Sequence, residues 1–243
     1  MSQSLEELLA LIGRLVPGMQ GELIHVPQAS PVLGGNHRQQ ATVLRDLWAA
    51  RHPEAGPHYL AVRCWGLLIW QPIYLSVIAV HRGNVLPDVG CMRQTLNEDG
   101  FIAGFSMFDH MPRTGSAEEL RTCAAQRLGQ VCSALRADLD GLVRLNARAA
   151  ACVQADIVLH SLLVARQTCS GQDAAWLQHA ASAWLESLGL SGRSGYAMLA
   201  DGSVQVQKQV CCHHFLRSNG EHCGNCPKRR VQERQAGTVV RAL

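Results

Sequence analysis

The sequence predicts a mainly α fold with small β-hairpins, of the α+β class. It divides into a helical body over residues 1–190, a hairpin-and-loop module at 191–230 and a C-terminal tail at 231–243. Three observations carry this. Apolar residues recur at helical spacing through most of the first 190 positions. Turn residues between short strand-like runs occur at two places, Asn97–Gly100 and Asp201–Gly202. Four of the ten cysteines fall within residues 211–226, where no helical period continues. With 47% hydrophobic and 17% charged residues among 243, the chain can bury a substantial core and reads as globular.

The first helix begins at a capping box, Ser4 with Glu7, and shows Leu5, Leu8, Leu9, Ile12, Leu15 and Val16 on one face. This acidic, amphipathic start differs from a basic, apolar secretory leader and predicts a cytoplasmic protein. Pro17, Pro27, Pro31 and Gly34–Gly35 punctuate a loop region, and Val43, Leu44, Leu47 and Trp48 predict a second helix over 38–50. Pro57 suits a helix start, so His58 to His81 reads as a long helix kinked near Pro72 and ended by Gly83. Its apolar run, Cys64–Val80, has 17 residues and includes Gln71, Pro72 and Ser76. A bilayer span needs about 20, so a buried core helix is expected. Peripheral association at the inner face of a cytoplasmic membrane is compatible with the composition.

Residues 89–107 predict a hairpin around Asn97–Gly100. Ser116 and Glu119 form a second capping box ahead of Leu120, Ala124, Leu128, Val131 and Leu135. Helices follow at 142–167 and 173–188, the latter stopped by Gly189. Asp201–Gly202, with Val204 and Val206 alternating against Gln205 and Gln207, predicts a two-residue hairpin leading into the cysteines.

Those cysteines, Cys211, Cys212, Cys223 and Cys226, are spaced C-C-x10-C-x2-C. A Cys-x-x-Cys turn places two thiolates on one metal, and Gly224 is expected to ease that turn. The vicinal pair suits tetrahedral zinc less well, since zinc ligands are usually two to four residues apart, and suits a two-iron cluster better, since two irons offer more than one way to share four sulfurs. Which cysteine serves which iron does not follow from sequence. His213 and His214 are expected as polar surroundings or as replacements for a thiolate. The other six cysteines, Cys64, Cys91, Cys123, Cys132, Cys152 and Cys169, stand singly in apolar stretches and read as packing. Disulfides are not expected in a chain of this length under reducing conditions.

Residues 196–228, YAMLADGSVQVQKQVCCHHFLRSNGEHCGNCPK, resemble the C-terminal [2Fe–2S] segment of the FhuF-type ferric-siderophore reductases, including the closing C-x-x-C-P. The stretch RCWGLLIWQPIYLSVIAVHRG, from Arg63 to Gly83, resembles the helical body of that family more loosely. The resemblance implies a [2Fe–2S] cluster on the four cysteines and one-electron reduction of a ferric siderophore, of hydroxamate type. It also implies an external electron donor such as a ferredoxin or flavin reductase.

Several residues are candidate contacts. Lys208, Arg217, Lys228, Arg229 and Arg230 surround the motif and would stabilise thiolates, steer an acidic redox partner or meet an anionic siderophore. Trp65, Trp70 and Tyr74 could offer aromatic faces to a siderophore, with Arg63 and Arg82 flanking them, although core packing suits the same spacing. Asp156 and His160, four apart on one helix, could form an acid–imidazole pair.

The net charge of +3, with 22 basic and 19 acidic residues interspersed, gives no footprint for nucleic acid. No nucleophile triad, P-loop or dinucleotide glycine fingerprint can be assembled. Two rivals stay open: a structural zinc module on a siderophore-binding protein, and a non-catalytic iron–sulfur electron carrier or iron sensor.

Overall fold

The computed structural model describes residues 4–25, 37–167, 174–199, 201–229 and 241–242. Pro27, Pro31, Gly34, Gly35, Cys169, Arg230 and the tail apart from 241–242 lie outside the described residues. About 58% of the described residues are helical and the sheets have two or three strands, so the chain is a mainly α protein of the α+β class.

The centre is α3 (Gly56–Ile78), which continues into a π-helical turn at Ala79–Gly83. Fifteen of its 23 residues are buried, on all sides, as expected of a helix with apolar residues around its whole circumference. It packs against α2 (His37–Arg51), α4 (Ala117–Asp140) and α5 (Ala147–Gln167), and α6 (Ala174–Ser187) closes over α4 and α5. By length and hydropathy Pro53–Gly83 and Ala147–Arg166 could each cross a membrane; 78% and 50% of their most apolar windows are buried inside the protein.

Capping boxes start α1 (Leu5–Leu15) at Ser4 and α4 at Ser116, as the sequence predicts. The first hairpin also forms: β3 (Met92–Leu96) pairs antiparallel with β4 (Ile102–Phe108). One expectation fails upstream. The segment after Pro17, read as loop throughout, contains β1 (Gly21–Ile24), which adds to β4 in parallel to give the order β1-β4-β3. Four residues pairing with a strand some eighty positions later carry no local signal. β2 (Val85–Leu86) and β5 (Arg113–Thr114) make a small separate ladder. Gln71, an interruption in the apolar run, joins helix to sheet: its amide donates to the carbonyls of Gly18 (2.7 Å) and Gly104 (3.1 Å) and accepts from Gln94 (3.2 Å).

At the C-terminal end, β6 (Gly195–Met198) and β7 (Val204–Gln207) form the second hairpin. The predicted two-residue turn is longer than expected. The ladder closes where Leu199 N–H donates to Ser203 C=O (2.8 Å), and Gly202, at φ +81°, takes the left-handed position of a three-residue connection. β8 (Arg241–Ala242) adds to the other edge of β6, so the end of the predicted tail is a strand. The hairpin sits on α5: Tyr196 Oη donates to Leu159 C=O (2.7 Å) and Ser194 Oγ to Asp156 Oδ1 (2.5 Å).

Candidate metal centre

After β7 the chain makes a series of turns that depend on backbone hydrogen bonds more than on buried side chains. Leu216 N–H donates to His213 C=O, Gly220 to Arg217, Cys226 to Cys223 and Arg229 to Cys226. A Cβ at Gly220 would stand 2.2 Å from the His214 carbonyl oxygen, so only glycine fits there. Gly224, expected to ease the Cys-x-x-Cys turn, has open space around it and no positive φ. The glycine requirement lies four residues earlier. His58 on α3 bonds the Cys211 carbonyl (3.2 Å), Asn225 donates to Val206 C=O (2.8 Å), and Ser218 donates N–H and Oγ to Glu54 (2.8 and 2.9 Å). These fix the loop to the body.

The four cysteines come together in two pairs. Cys211 Sγ and Cys226 Sγ are 3.5 Å apart and buried; Cys212 and Cys223, both half-buried, are neighbours close enough to interact electrostatically. His213 N–H donates to Cys211 Sγ (3.3 Å) and His222 Nδ1 stands 3.4 Å from Cys226 Sγ. Burial, then the neighbouring thiol Cys226, pushes Cys211 up to about 11 against the pull of the His213 N–H. Burial and the Cys212 thiol raise Cys223, with Lys208 opposing. These are thiols whose protons a metal would displace.

Among the described residues no three His, Cys, Asp or Glu side chains converge as a single ion would require. A tetrahedral metal with bonds of about 2.3 Å separates two ligand sulfurs by about 3.8 Å, close to the Cys211–Cys226 spacing. With Cys212 and Cys223 nearby, the four thiols match in number the donor set of a two-iron group.

A cavity of about 600 Å³ reaches Cys212 and is lined as well by Tyr59, Arg63, Trp70, Phe101 and Lys208, with Asp156 and His160 also on its wall. The Arg63 guanidinium lies 4.3 Å from the Trp48 ring centroid and 5.1 Å from that of Phe101, and its Nε has no hydrogen-bond partner among the described residues. Burial pulls its pKa down, with Tyr59 and Cys212 opposing. Trp48 Nε1 donates to Gly100 C=O (2.7 Å), which brings the first hairpin against the cavity and sets Phe101 there.

Of the sequence candidates, Arg63, Trp70, Lys208, Asp156, His160 and His214 reach the cavity along with Cys212. Trp65 does not: it is buried in the core and donates to Ala150 C=O (3.0 Å). Tyr74 packs edge-on against Trp70 (5.6 Å) and is absent from the cavity lining. Lys228, exposed, lies 5.8 Å over the Phe215 ring and Arg229, half-buried, donates to Gly224 C=O (3.0 Å); neither lines the cavity. Asp156 bonds to Ser194 instead of His160; burial raises the carboxyl to about 6 and lowers the imidazole to about 4. His213 supplies a peptide N–H, and its ring meets His58 (4.3 Å).

Tyr59, Phe101, His58 and His222 escape the sequence reading. A signal for the first did exist: Tyr59, Arg63, Gly66 and Trp70 repeat at helical spacing, a mixed stripe with a glycine on an otherwise apolar helix. No protein-family model and no solved structure matches the chain.

Proposed function

We propose that this protein reduces ferric iron held by a siderophore, passing one electron to Fe(III) and converting it to Fe(II), with a [2Fe–2S] group on Cys211, Cys212, Cys223 and Cys226. The observation that supports the reading is Cys212 on the cavity wall, since a ligand held in the cavity would lie beside one of the four thiols. When bound, the two-iron group supplies electrons singly at a potential set by its surroundings.

The chain's own residues hold the reactant. Tyr59, Trp70 and Phe101 offer broad apolar contact in a space within the usual range for small-molecule sites. Arg63 and Lys208 bring positive charge to the cavity, which offsets the negative charge of thiolate-bound iron and attracts oxygen-rich ligands. No covalent bond need break. Siderophore oxygens are hard donors that hold Fe(III) far better than Fe(II), so one electron loosens the metal. The resemblance favours a hydroxamate siderophore. Electrons come from an external ferredoxin or flavin reductase, for which Lys228 and Arg229, which do not line the cavity, form a basic approach. The proposed setting is the cytoplasm, with peripheral association at the inner face of the membrane.

The test is iron and acid-labile sulfide content of anaerobically purified protein, with its visible spectrum. Expected are two irons and two sulfides per chain, bleaching by dithionite, and recovery of colour on adding a ferric siderophore. Zinc without sulfide overturns the reading. A cluster that ferric siderophores do not reoxidise makes the protein an electron carrier or iron sensor.

A further inference from the structure

We infer that Cys211 and Cys226 hold one iron of the two-iron group and Cys212 and Cys223 hold the other, so that the two neighbours in sequence serve different irons. The inference rests on the cluster reading above and adds what the spacing leaves open. Adjacent cysteines invite the assumption that each local pair, Cys211 with Cys212 and Cys223 with Cys226, forms one half-site. The fold divides them the other way.

Cys211 is buried, its carbonyl held by His58, whereas Cys212 lines the cavity. Immediately after them His213 adopts φ +59°, a left-handed conformation costly for a residue with a side chain, and in it donates its N–H back to Cys211. Cys223 and Cys226 are split in the same sense, one half-exposed and one buried, by the turn in which Cys226 N–H donates to Cys223 C=O (3.0 Å). Each local pair thus sends one sulfur inward and one outward. The inward two are 3.5 Å apart and the outward two are neighbours.

The two halves also have different company. The inner pair meets a peptide N–H and the His222 imidazole. The outer pair meets full positive charges, Arg63 near Cys212 and Lys208 near Cys223, and one of its members stands on the cavity wall. The iron on Cys212 and Cys223 is therefore the one against a cavity ligand.

The experiment is Mössbauer spectroscopy of oxidised, ⁵⁷Fe-reconstituted protein carrying paired Cys→Ser substitutions, since a serine oxygen shifts the quadrupole doublet of the iron it binds. C211S/C226S and C212S/C223S should each keep one doublet at the wild-type position and shift the other, in equal areas. C211S/C212S and C211S/C223S should shift both. An unshifted doublet in either of the latter overturns the pairing while the reductase reading stands; wild-type protein without labile sulfide overturns both. If the paired variants take up no iron, the apo wild-type chain is oxidised with diamide and its bridges mapped by fragmentation mass spectrometry. Bridges 211–226 and 212–223 support the inference, and any other pairing overturns it.

Discussion

Cys132 in the helical body and Cys226 in the C-terminal module are equally hidden, each 5% exposed, yet their surroundings have nothing in common. Around Cys132 there is only apolar packing, and burial alone pushes the thiol up to about 12. It behaves as a small hydrophobe. Cys226 faces another sulfur at 3.5 Å and an imidazole nitrogen at 3.4 Å. Burial therefore does not tell a packing cysteine from a ligand; the neighbours do. The same contrast holds for whole regions. The body is built on α3, buried on all sides, whereas residues 213–225 are half-buried or exposed and depend on turns and on a few bonds, from Ser218 to Glu54 and from Asn225 to Val206. One region closes on its own apolar core. The other has little core, and the proposed group, by tying its thiols together, would stabilise it most.

The sharpest way to break this contrast is to change cysteines from both regions. Serine at Cys211, Cys212, Cys223 or Cys226 should lower the iron retained per chain through purification and lower siderophore reduction at least about 100-fold, more than is typical for residues that merely support a ligand. Cys123→Ser and Cys152→Ser should leave both within about twofold, apart from lower stability at the buried Cys152. Equal damage from both sets, measured as iron per chain and initial rate, would remove the distinction.

Removing the metal tests the regions themselves. In the iron-free protein, amides of residues 209–229 should lose most of their protection in hydrogen exchange while α3 and α5 keep theirs, because local opening follows the least cross-linked segment. Loss of protection throughout would mean that the group stabilises the whole fold and that the body is not self-sufficient.

The two regions were also unequally legible. The helices of the body follow from capping boxes and apolar spacing, as at Ser4 with Glu7 and Ser116 with Glu119, because those signals lie within one turn of the residues they govern. β1 stayed hidden because its partner is distant in sequence. At the site, the four thiols could be read from spacing alone, whereas the cavity could not. Tyr59 and Phe101 come from different elements, and Phe101 reaches the cavity where Trp48 and Arg51 of α2 hold the hairpin turn by the carbonyls of Gly100, Asp99 and Glu98. Trp65 misled for the converse reason: an indole in a run of apolar residues looks the same whether it faces a ligand or, as here, the Ala150 carbonyl.

The seam between the regions offers a gentler probe. Asp156 on α5 is buried, and burial raises its carboxyl to about 6, partly offset by the Ser194 hydroxyl and Lys208. With the unfolded value near 4, the folded state binds more protons than the unfolded one between about pH 4 and 6. Stability from this group is therefore lost as pH rises through that window. The span corresponds to about 3 kcal/mol, at about 1.4 kcal/mol per unit. Asp156→Asn keeps an acceptor for Ser194 and removes the titration. The stability difference between variant and wild type should grow in the variant's favour from pH 4 to pH 7, read by urea unfolding at each pH. A difference that does not change with pH would mean that the carboxylate is solvated at the seam and that the module docks loosely there.

The smallest expected effect is the most discriminating about coupling. Tyr196 Oη donates to Leu159 C=O, a carbonyl inside α5 that already accepts along the helix, so Tyr196→Phe removes a bond without orphaning its acceptor. The cost should be about 1 kcal/mol, seen as a lower urea midpoint with the slope unchanged. The ring stays in the core and the thiols are untouched, so the visible spectrum and iron content should match wild type. If the spectrum shifts instead, strain at the hairpin is reaching the cysteines through β7, and the module's geometry is set by its docking on α5 as much as by its own turns.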